Sequence, residues 1–554
     1  MIVGRLVQLQ VVQAAKLQAQ AERERFEQIT IPAERGEITS SDGTILAMTV
    51  ETDQVTADPP VLAQSVPLAK AAAELAGPLG MTEAAVLNLL QHPTSPQYVV
   101  LNPSISSAAA RRVSALGLPS ITLQPSYQRY YPGGDLASGI LGFTNNAGPG
   151  GLLNGVGGIE QQYNRLLTGQ TGTEQVQIDA AGDPIPGTET DVQPAIAAGG
   201  VRLTINADIQ WAAEQACAHQ AIEYAARNCS IVVMAPGTGQ ILAMAQYPNF
   251  DPASVTSLAV TTDIPVATVF APGSTGKVIT AAAAMEHGGV TPASAFTTPW
   301  QITWHGFSFH DAEYHPTERY TLAGILAYSS NDGMVQVADH VTPAEQYGYL
   351  RAFGLGSPSG LNLPGESAGL LANPSQWYGN ERYELSFGQG VSVTAIQMAS
   401  VYATIANGGV RVAPELVAGT TTSTGRYVPA PKPASRRVIQ PATAAALIRM
   451  LEQVPVVDAQ GGEPWGLIPG YTVAAKTGTA QENDNTIGSS FIGIAPATNP
   501  QLVVAVNVQD PTKGTQFGIS TAGPAFYDVM KFALQTLKIP PDGGHVPNVP
   551  LVAG

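Results

Sequence analysis

The chain has 554 residues, 44% hydrophobic and only 12% charged, with a formal net charge of −16. That length allows about two to four domains with ample core, and the composition excludes a disordered chain. The acidic balance, with no compensating basic run, excludes nucleic acid and anionic lipid surfaces as partners, and no internal repeat is visible.

The first 28 residues carry apolar side chains at helical spacing, but Arg5 and Lys16 interrupt any run of about 18 apolar residues. The segment is neither a complete membrane span nor a secretory signal peptide. It is expected to be the last turns of a span followed by a juxtamembrane helix, with the anchor upstream of residue 1; a soluble amphipathic helix is the alternative. Alternating apolar residues around Ser41-Asp42-Gly43 predict a β-hairpin. Helices are expected at 65–76 and 82–90, and a Gly-rich stretch at 145–158 leads into a helix over 159–169. Nothing in this third looks catalytic. The stretch "PAIAAGG" marks a boundary near 195–200. The division is a juxtamembrane helix at 1–28, a non-catalytic domain at 29–197, a second domain at 198–540 and a mobile Pro/Gly-rich tail at 541–554.

The second domain opens with the strand "VRLTIN" and a helix over 208–227. Two apolar strands, 230–235 and 241–246, follow, joined by the turn "PGTG". Helices are expected after Ser274 and at 321–329, 344–354, 392–407 and 441–454. Strands "TVAAKTG", "SFIGIAP" and "LVVAVNV" precede a last helix at 523–536. Strands, then many helices, then strands of the same sheet indicate an α+β sandwich. The two cysteines, Cys217 on a helix and Cys229 at a strand start, are too few for a common zinc framework. They can pair in an oxidising compartment, but two unpaired buried thiols are the favoured reading.

Three short motifs stand in a meaningful order: Ser274-Thr275-Gly276-Lys277, Ser329-Ser330-Asn331, and Lys476-Thr477-Gly478-Thr479. Ser-x-x-Lys alone arises by composition about 0.5 times in such a chain; the ordered trio is specific. Pro272-Gly273 breaks the preceding segment, so Ser274 begins a helix and Lys277 lies one turn on, on the same face. A serine hydroxyl needs a neighbouring base, and lysine serves only where burial and a second cation destabilise its ammonium. Lowering a lysine pKa from about 10.4 to about 7 takes roughly 4–5 kcal/mol, which desolvation plus Lys476 would supply. Ser329 would extend a proton path to the departing amine. Asn331 offers an amide to the substrate backbone; Lys476, Thr477 and Thr479 offer a cation and hydroxyls to a carboxylate.

With these motifs the chain resembles the class B penicillin-binding proteins, peptidoglycan D,D-transpeptidases. The resemblance extends to "ERGEITSSDGTILA" (34–47), "RYYPGGDLASGILGF" (129–143), "GGIEQQYNRLLTGQTG" (157–172) and "SFGQGVSVTAIQMASVYATIANGG" (386–409). The N-terminal stretch is most similar to septal cell-division members from actinobacteria. The resemblance implies a C-terminal transpeptidase domain, an α/β/α sandwich with an antiparallel sheet, on an elongated N-terminal pedestal of the penicillin-binding protein dimerisation type. It implies Ser274, Lys277 and Ser329 as catalytic residues, and Asn331, Lys476, Thr477, Gly478 and Thr479 as substrate-binding residues. The backbone N–H groups of Ser274 and Thr479 would form the oxyanion hole. Ser274 would attack the penultimate D-Ala carbonyl of a stem peptide, and an amine on a neighbouring stem would accept the acyl group. β-Lactams would acylate the same serine. No metal or organic cofactor is expected. The implied partners are stem peptides, a membrane glycan polymerase and other division proteins, with the catalytic domain outside the membrane. Gly276 departs from the family, which often has an aromatic before the motif lysine.

The same motifs serve side-wall transpeptidases, D,D-carboxypeptidases and serine β-lactamases, and a catalytically silent division scaffold is the reading from another class. Glu366, in "PGESAGLLAN", is the carboxylate a β-lactamase would need, but it reads as a loop residue because its spacing lacks Glu-x-x-Leu-Asn. The cluster His305, His310, Asp311, Glu313 and His315 resembles metal ligands, yet reads as surface and packing residues.

Overall fold

The computed structural model describes residues 13, 25–31, 33–93, 95–146, 153–178, 185, 187–255, 261–482 and 486–554. Most of the juxtamembrane helix expected at 1–28, and the middle of the Gly-rich stretch, lie outside these residues; at its described end the expectation is corrected, because Phe26–Ile31 is a strand paired antiparallel with Gly172–Gln177. Among the described residues no helix is long and apolar enough to cross a membrane.

In the N-terminal region the strand Ile45–Ala57 pairs antiparallel with Val99–Ile105 and Ile121–Tyr130. The predicted hairpin forms, with Ile38 opposite Ala47 across the turn at Ser41-Asp42-Gly43. Helices Pro59–Ser65, Leu68–Leu79, Glu83–Gln91 and Ser107–Ala115 bury Leu62, Leu75, Leu90 and Val113 against these strands. The helix expected at 65–76 is split because Pro67, with ψ 130, opens a new one. The helix expected at 159–169 is likewise two short turns, Gly158–Gln162 and Asn164–Leu167.

Deep in this region three motifs meet through charge. Glu160 is fully buried and receives Arg35 (Nε, 2.7 Å) and Arg129 (Nε, 2.6 Å) on its two carboxylate oxygens. Arg35 also donates to Asn164 Oδ1, Thr168 Oγ1 and the Glu160 carbonyl, and Arg129 to the Gly36 carbonyl. Every charge in the cluster therefore has partners, the condition under which buried ions are tolerated.

The C-terminal half is built on a five-stranded antiparallel sheet. Its members are β1 (Asn228–Met234), β2 (Ile241–Tyr247), β3 (Ala474–Gln481), β4 (Ile487–Ala495) and β5 (Leu502–Gln509), in the order β2-β1-β5-β4-β3. Both faces are covered, so β1 and β5 are continuous buried runs rather than alternating ones. One face packs α1 (Ala207–Glu223) and a helix over Gly518–Thr536, around Ile209, Ala213, Val233, Val504 and Phe526. The other carries α2 (Lys277–Glu286), α3 (Leu322–Ala327), α4 (Asn331–Ala338), α5 (Pro343–Phe353) and α6 (Ala395–Ala406). All twelve residues of α6 are buried; its start is fixed by a reciprocal cap between Thr394 and Gln397. This is the expected α+β sandwich of helix, sheet and helix.

The boundary strand Val201–Leu203 belongs to neither half alone. It pairs in parallel with Ile38–Thr39 and antiparallel with Val417–Thr421, so a seven-stranded sheet crosses from one region to the other. Ala137 N–H donates to the buried Glu214 of α1 at 2.8 Å, adding a second tie.

Two expectations are corrected. Cys217 and Cys229 form a disulfide, with Cα atoms 5.5 Å apart, instead of two free thiols. The helix–strand corner brings them into bonding range, which a 12-residue separation in sequence does not reveal. The expected mobile tail is docked: Gln453 donates to the Pro547 carbonyl, Thr321 N–H to Leu551, and Ala553 N–H to Arg319. Prolines and glycines exclude regular structure there, but they leave backbone acceptors free to pair with neighbouring elements. Gly324 makes room for this crossing, since a Cβ there would lie 2.0 Å from the Leu551 oxygen.

Candidate active site

Three segments far apart in sequence meet at the edge of the sheet. Gly273 adopts φ 52, and residues 273–276 form a single 3₁₀ turn leading into α2. Gly388 closes over this turn, where a Cβ would lie 2.0 Å from the Gly273 oxygen. Gly478 has the same function on β3: a Cβ would meet Ser490 Oγ at 2.5 Å and the Pro272 oxygen at 2.9 Å. Both glycines let backbone segments approach closely enough to bring Ser274 beside Thr479.

The second motif sits in the bend between α3 and α4. Ser329 holds φ 61, a left-handed conformation uncommon for a residue with a Cβ. Ser330 caps α4 by accepting the Gly333 N–H at 3.0 Å. The helix expected at 321–329 thus stops at Ala327, and α4 follows where no element was expected.

Lys277 and Lys476 are both fully buried and converge on Ser329. Lys277 Nζ donates to the Ser329 carbonyl and lies 3.4 Å from its Oγ; Lys476 Nζ donates to the same Oγ at 2.9 Å. Burial, then the charge of Lys476, holds the Lys277 ammonium well below the usual lysine range, with Asp311 and Asp332 opposing. Burial lowers Lys476 to about 8, opposed by Asp458. Two ammonium groups beside one hydroxyl disfavour double protonation, which leaves a neutral amine available as a base. Ser274 Oγ makes no hydrogen bond to any described residue and lines the same groove.

That groove encloses about 410 Å³ and is lined by Ser274, Ser329, Asn331, Thr477 and Thr479, with Tyr314, Tyr328 and Phe517 exposed at its rim. Lys476 also reaches the Thr477 carbonyl at 3.2 Å, and Thr479 Oγ1 accepts the Gly518 N–H at 3.0 Å. All eight residues singled out in the three motifs are therefore brought together.

One residue read as packing is more than that. Asp311 is 6% exposed, and its carboxylate accepts the N–H groups of Asn331 and Asp332, the Ser330 hydroxyl at 2.7 Å and His315 Nε2 at 2.9 Å. It thereby anchors the Ser-x-Asn segment at the N-terminus of α4. Sequence reasoning missed it because the helix start that calls for an anionic partner, at Ser330, reads as a loop. His310 and His315 accompany it, while His305 lies apart, bonded to Asp339. Glu366 lies in a loop where it accepts the N–H groups of Ser359, Gly360 and Asn362, and it does not line the groove.

The family model for the penicillin-binding protein transpeptidase domain matches residues 229–531, and that for the penicillin-binding protein dimerisation domain matches residues 30–199. The chain is 33% identical to the penicillin-binding protein PbpB of Mycolicibacterium smegmatis, covering 97% of this chain and 89% of that protein. It is 29% identical to the peptidoglycan D,D-transpeptidase FtsI of Escherichia coli, over 98% and 90% of the two chains. Its fold is similar to the crystal structure of penicillin-binding protein 3 from Mycobacterium tuberculosis complexed with ampicillin. The TM-score is 0.73 at 28% identity, over 95% of this chain and all of that one.

Proposed function

The chain belongs to the penicillin-binding protein transpeptidase family, and from that premise we propose that it is a peptidoglycan D,D-transpeptidase acting through a serine acyl-enzyme in septal wall synthesis. The observation that carries the reading is the convergence of two buried lysines on Ser329 beside an unpartnered Ser274. Neutral Lys277 takes the Ser274 proton as the hydroxyl attacks the penultimate D-Ala carbonyl, and backbone N–H groups of Ser274 and Thr479 hold the developing oxyanion. Ser329 returns the proton to the departing D-Ala amine. An amine of a neighbouring stem then attacks the ester, and Ser274 regains its hydroxyl. Lys476, Thr477 and Thr479 grip the terminal carboxylate, while Asn331 orients the peptide. Gly478 keeps β3 close to the serine turn. Residues 29–197 act as the pedestal, 198–540 as the catalytic domain, with the membrane anchor and the division partners, a glycan polymerase among them, supplied outside the described residues.

Intact-protein mass spectrometry with a β-lactam tests the reading. The expected result is one stable covalent adduct on the native chain and none on Ser274→Ala. An adduct on both, or on neither while Ser274→Ala remains folded, would refute it.

A further inference from the structure

On the flank of the catalytic half, away from the groove, three arginines line one cavity of about 420 Å³ together with Gly354, Ser357 and Pro358. It shares no lining residue with the active-site groove, and no Asp or Glu lines it. In a chain of net charge −16 this is a local reversal of sign.

The three guanidinium groups arrive from separate elements. Arg351 sits in the last turn of α5 and donates to the Leu355 and Gly356 carbonyls. Arg436 donates to the Arg351 carbonyl at 3.2 Å and the Ala352 carbonyl at 2.6 Å. Arg436 is thus held by the carbonyl end of α5, whose terminus offsets only about half of one positive charge, and Arg351 by the loop that follows it. Arg411 is different. It stands directly opposite Arg436 in the antiparallel pair Val410–Val412 and Ser435–Arg437, a like-charge juxtaposition that destabilises a sheet. Its Nε is buried without any hydrogen-bond partner, and it forms no ion pair with a described residue. Burial and the charge of Arg436 both oppose its ionisation, and no carboxylate among the described residues offsets either. Gly354, with φ 108, leaves the room this guanidinium occupies, since a Cβ there would lie 2.9 Å from Arg411 Nε.

We infer that this cavity binds a phosphoryl group, as free phosphate or as a phosphate monoester. A tetrahedral dianion presents oxygens to three forks at once and neutralises most of the accumulated charge. A carboxylate, with one charge and two oxygens, satisfies fewer of these donors. Of the three lining guanidinium groups, that of Arg411 alone has no hydrogen bond or ion pair with a described residue.

The test is thermal unfolding and calorimetric titration of the whole chain with inorganic phosphate, glycerol 3-phosphate and acetate, each against sodium chloride at equal ionic strength. Inorganic phosphate should stabilise saturably, and Arg411→Gln should raise the apparent Kd by about tenfold or more. Fluorescent-penicillin labelling should be equal in the two proteins, because Arg411 lies outside the groove; this separates failure of the site from failure of the transpeptidase reading. Binding of glycerol 3-phosphate as tight as that of phosphate assigns a monoester ligand, and binding of phosphate alone assigns the free ion. Stabilisation shared by chloride or acetate, or unchanged in Arg411→Gln, overturns the inference.

Discussion

The two halves each bury a cluster of charge, and the clusters obey opposite rules. In the N-terminal half, Glu160 sits between Arg35 and Arg129, and the guanidinium groups find further carbonyl, amide and hydroxyl acceptors. In the catalytic half, Lys277 and Lys476 share one serine, and among the described residues no carboxylate forms an ion pair with either. A compensated buried cluster fixes architecture, because removing one member strands the others. An uncompensated pair of like charges stores chemistry, because it holds one amine ready to take a proton. The first is expected to matter for stability and little for reactivity, and the second the reverse.

The largest effect expected from this contrast is on Lys277→Met. Loss of the base should slow β-lactam acylation by about 10³-fold, within the range for a positioned general base. Unfolding should become no easier. A lysine whose folded pKa is depressed releases its proton on folding, so its burial destabilises most at low pH and progressively less as pH rises. The variant should therefore gain more stability at pH 6 than at pH 9. Stopped-flow acylation and denaturant unfolding at the two pH values check both halves; a variant that acylates normally would break the contrast.

Next in size is Glu160→Gln, which leaves two buried guanidinium groups facing a neutral amide. A loss of about 3 kcal/mol in unfolding free energy is expected, with penicillin labelling per folded molecule unchanged. Urea unfolding followed alongside labelling decides it. Full stability, or labelling lost while the fold persists, would show that the cluster serves the active site directly.

The same contrast explains what the sequence made legible. Arg35, Arg129 and Glu160 each fall in a stretch that the family resemblance picked out, yet no local pattern says that they meet, since they are 31 to 125 residues apart. The three motifs that meet at the groove were readable because the proposed chemistry demands particular residues at short spacing: a serine and a lysine one turn apart, or a lysine followed by a glycine that admits a close backbone. The strands β1, β4 and β5 were readable as apolar runs. Hidden from the sequence were features that tertiary contact alone decides: the left-handed Ser329, the disulfide across the α1–β1 corner, and the docking of residues 547–553 onto the start of α3. Asp311 was hidden for another reason. Its partners lie 19 to 21 residues away on a helix whose start, "SNDG", looks like a loop.

The smallest effect sharpens the difference between the two lysines themselves. Burial lowers Lys476 to about 8, so its charge begins to fade within the working range of pH. If that charge grips the substrate carboxylate, acylation should fall as pH rises through about 8. By pH 9 the charged fraction, and with it the rate, should be down about tenfold. Loss of the proton from Lys277 acts in the opposite direction, raising the rate with pH on the acid limb, so the falling limb belongs to Lys476 alone. Lys476→Arg keeps its charge at pH 9 and should remove the alkaline limb, at a lower plateau because a planar fork does not replace a point charge beside Ser329. Second-order acylation rates measured from pH 6 to 10 on both proteins separate the two amines. An alkaline limb that persists in Lys476→Arg would reassign it to another group and leave Lys476 with a purely structural place beside Ser329.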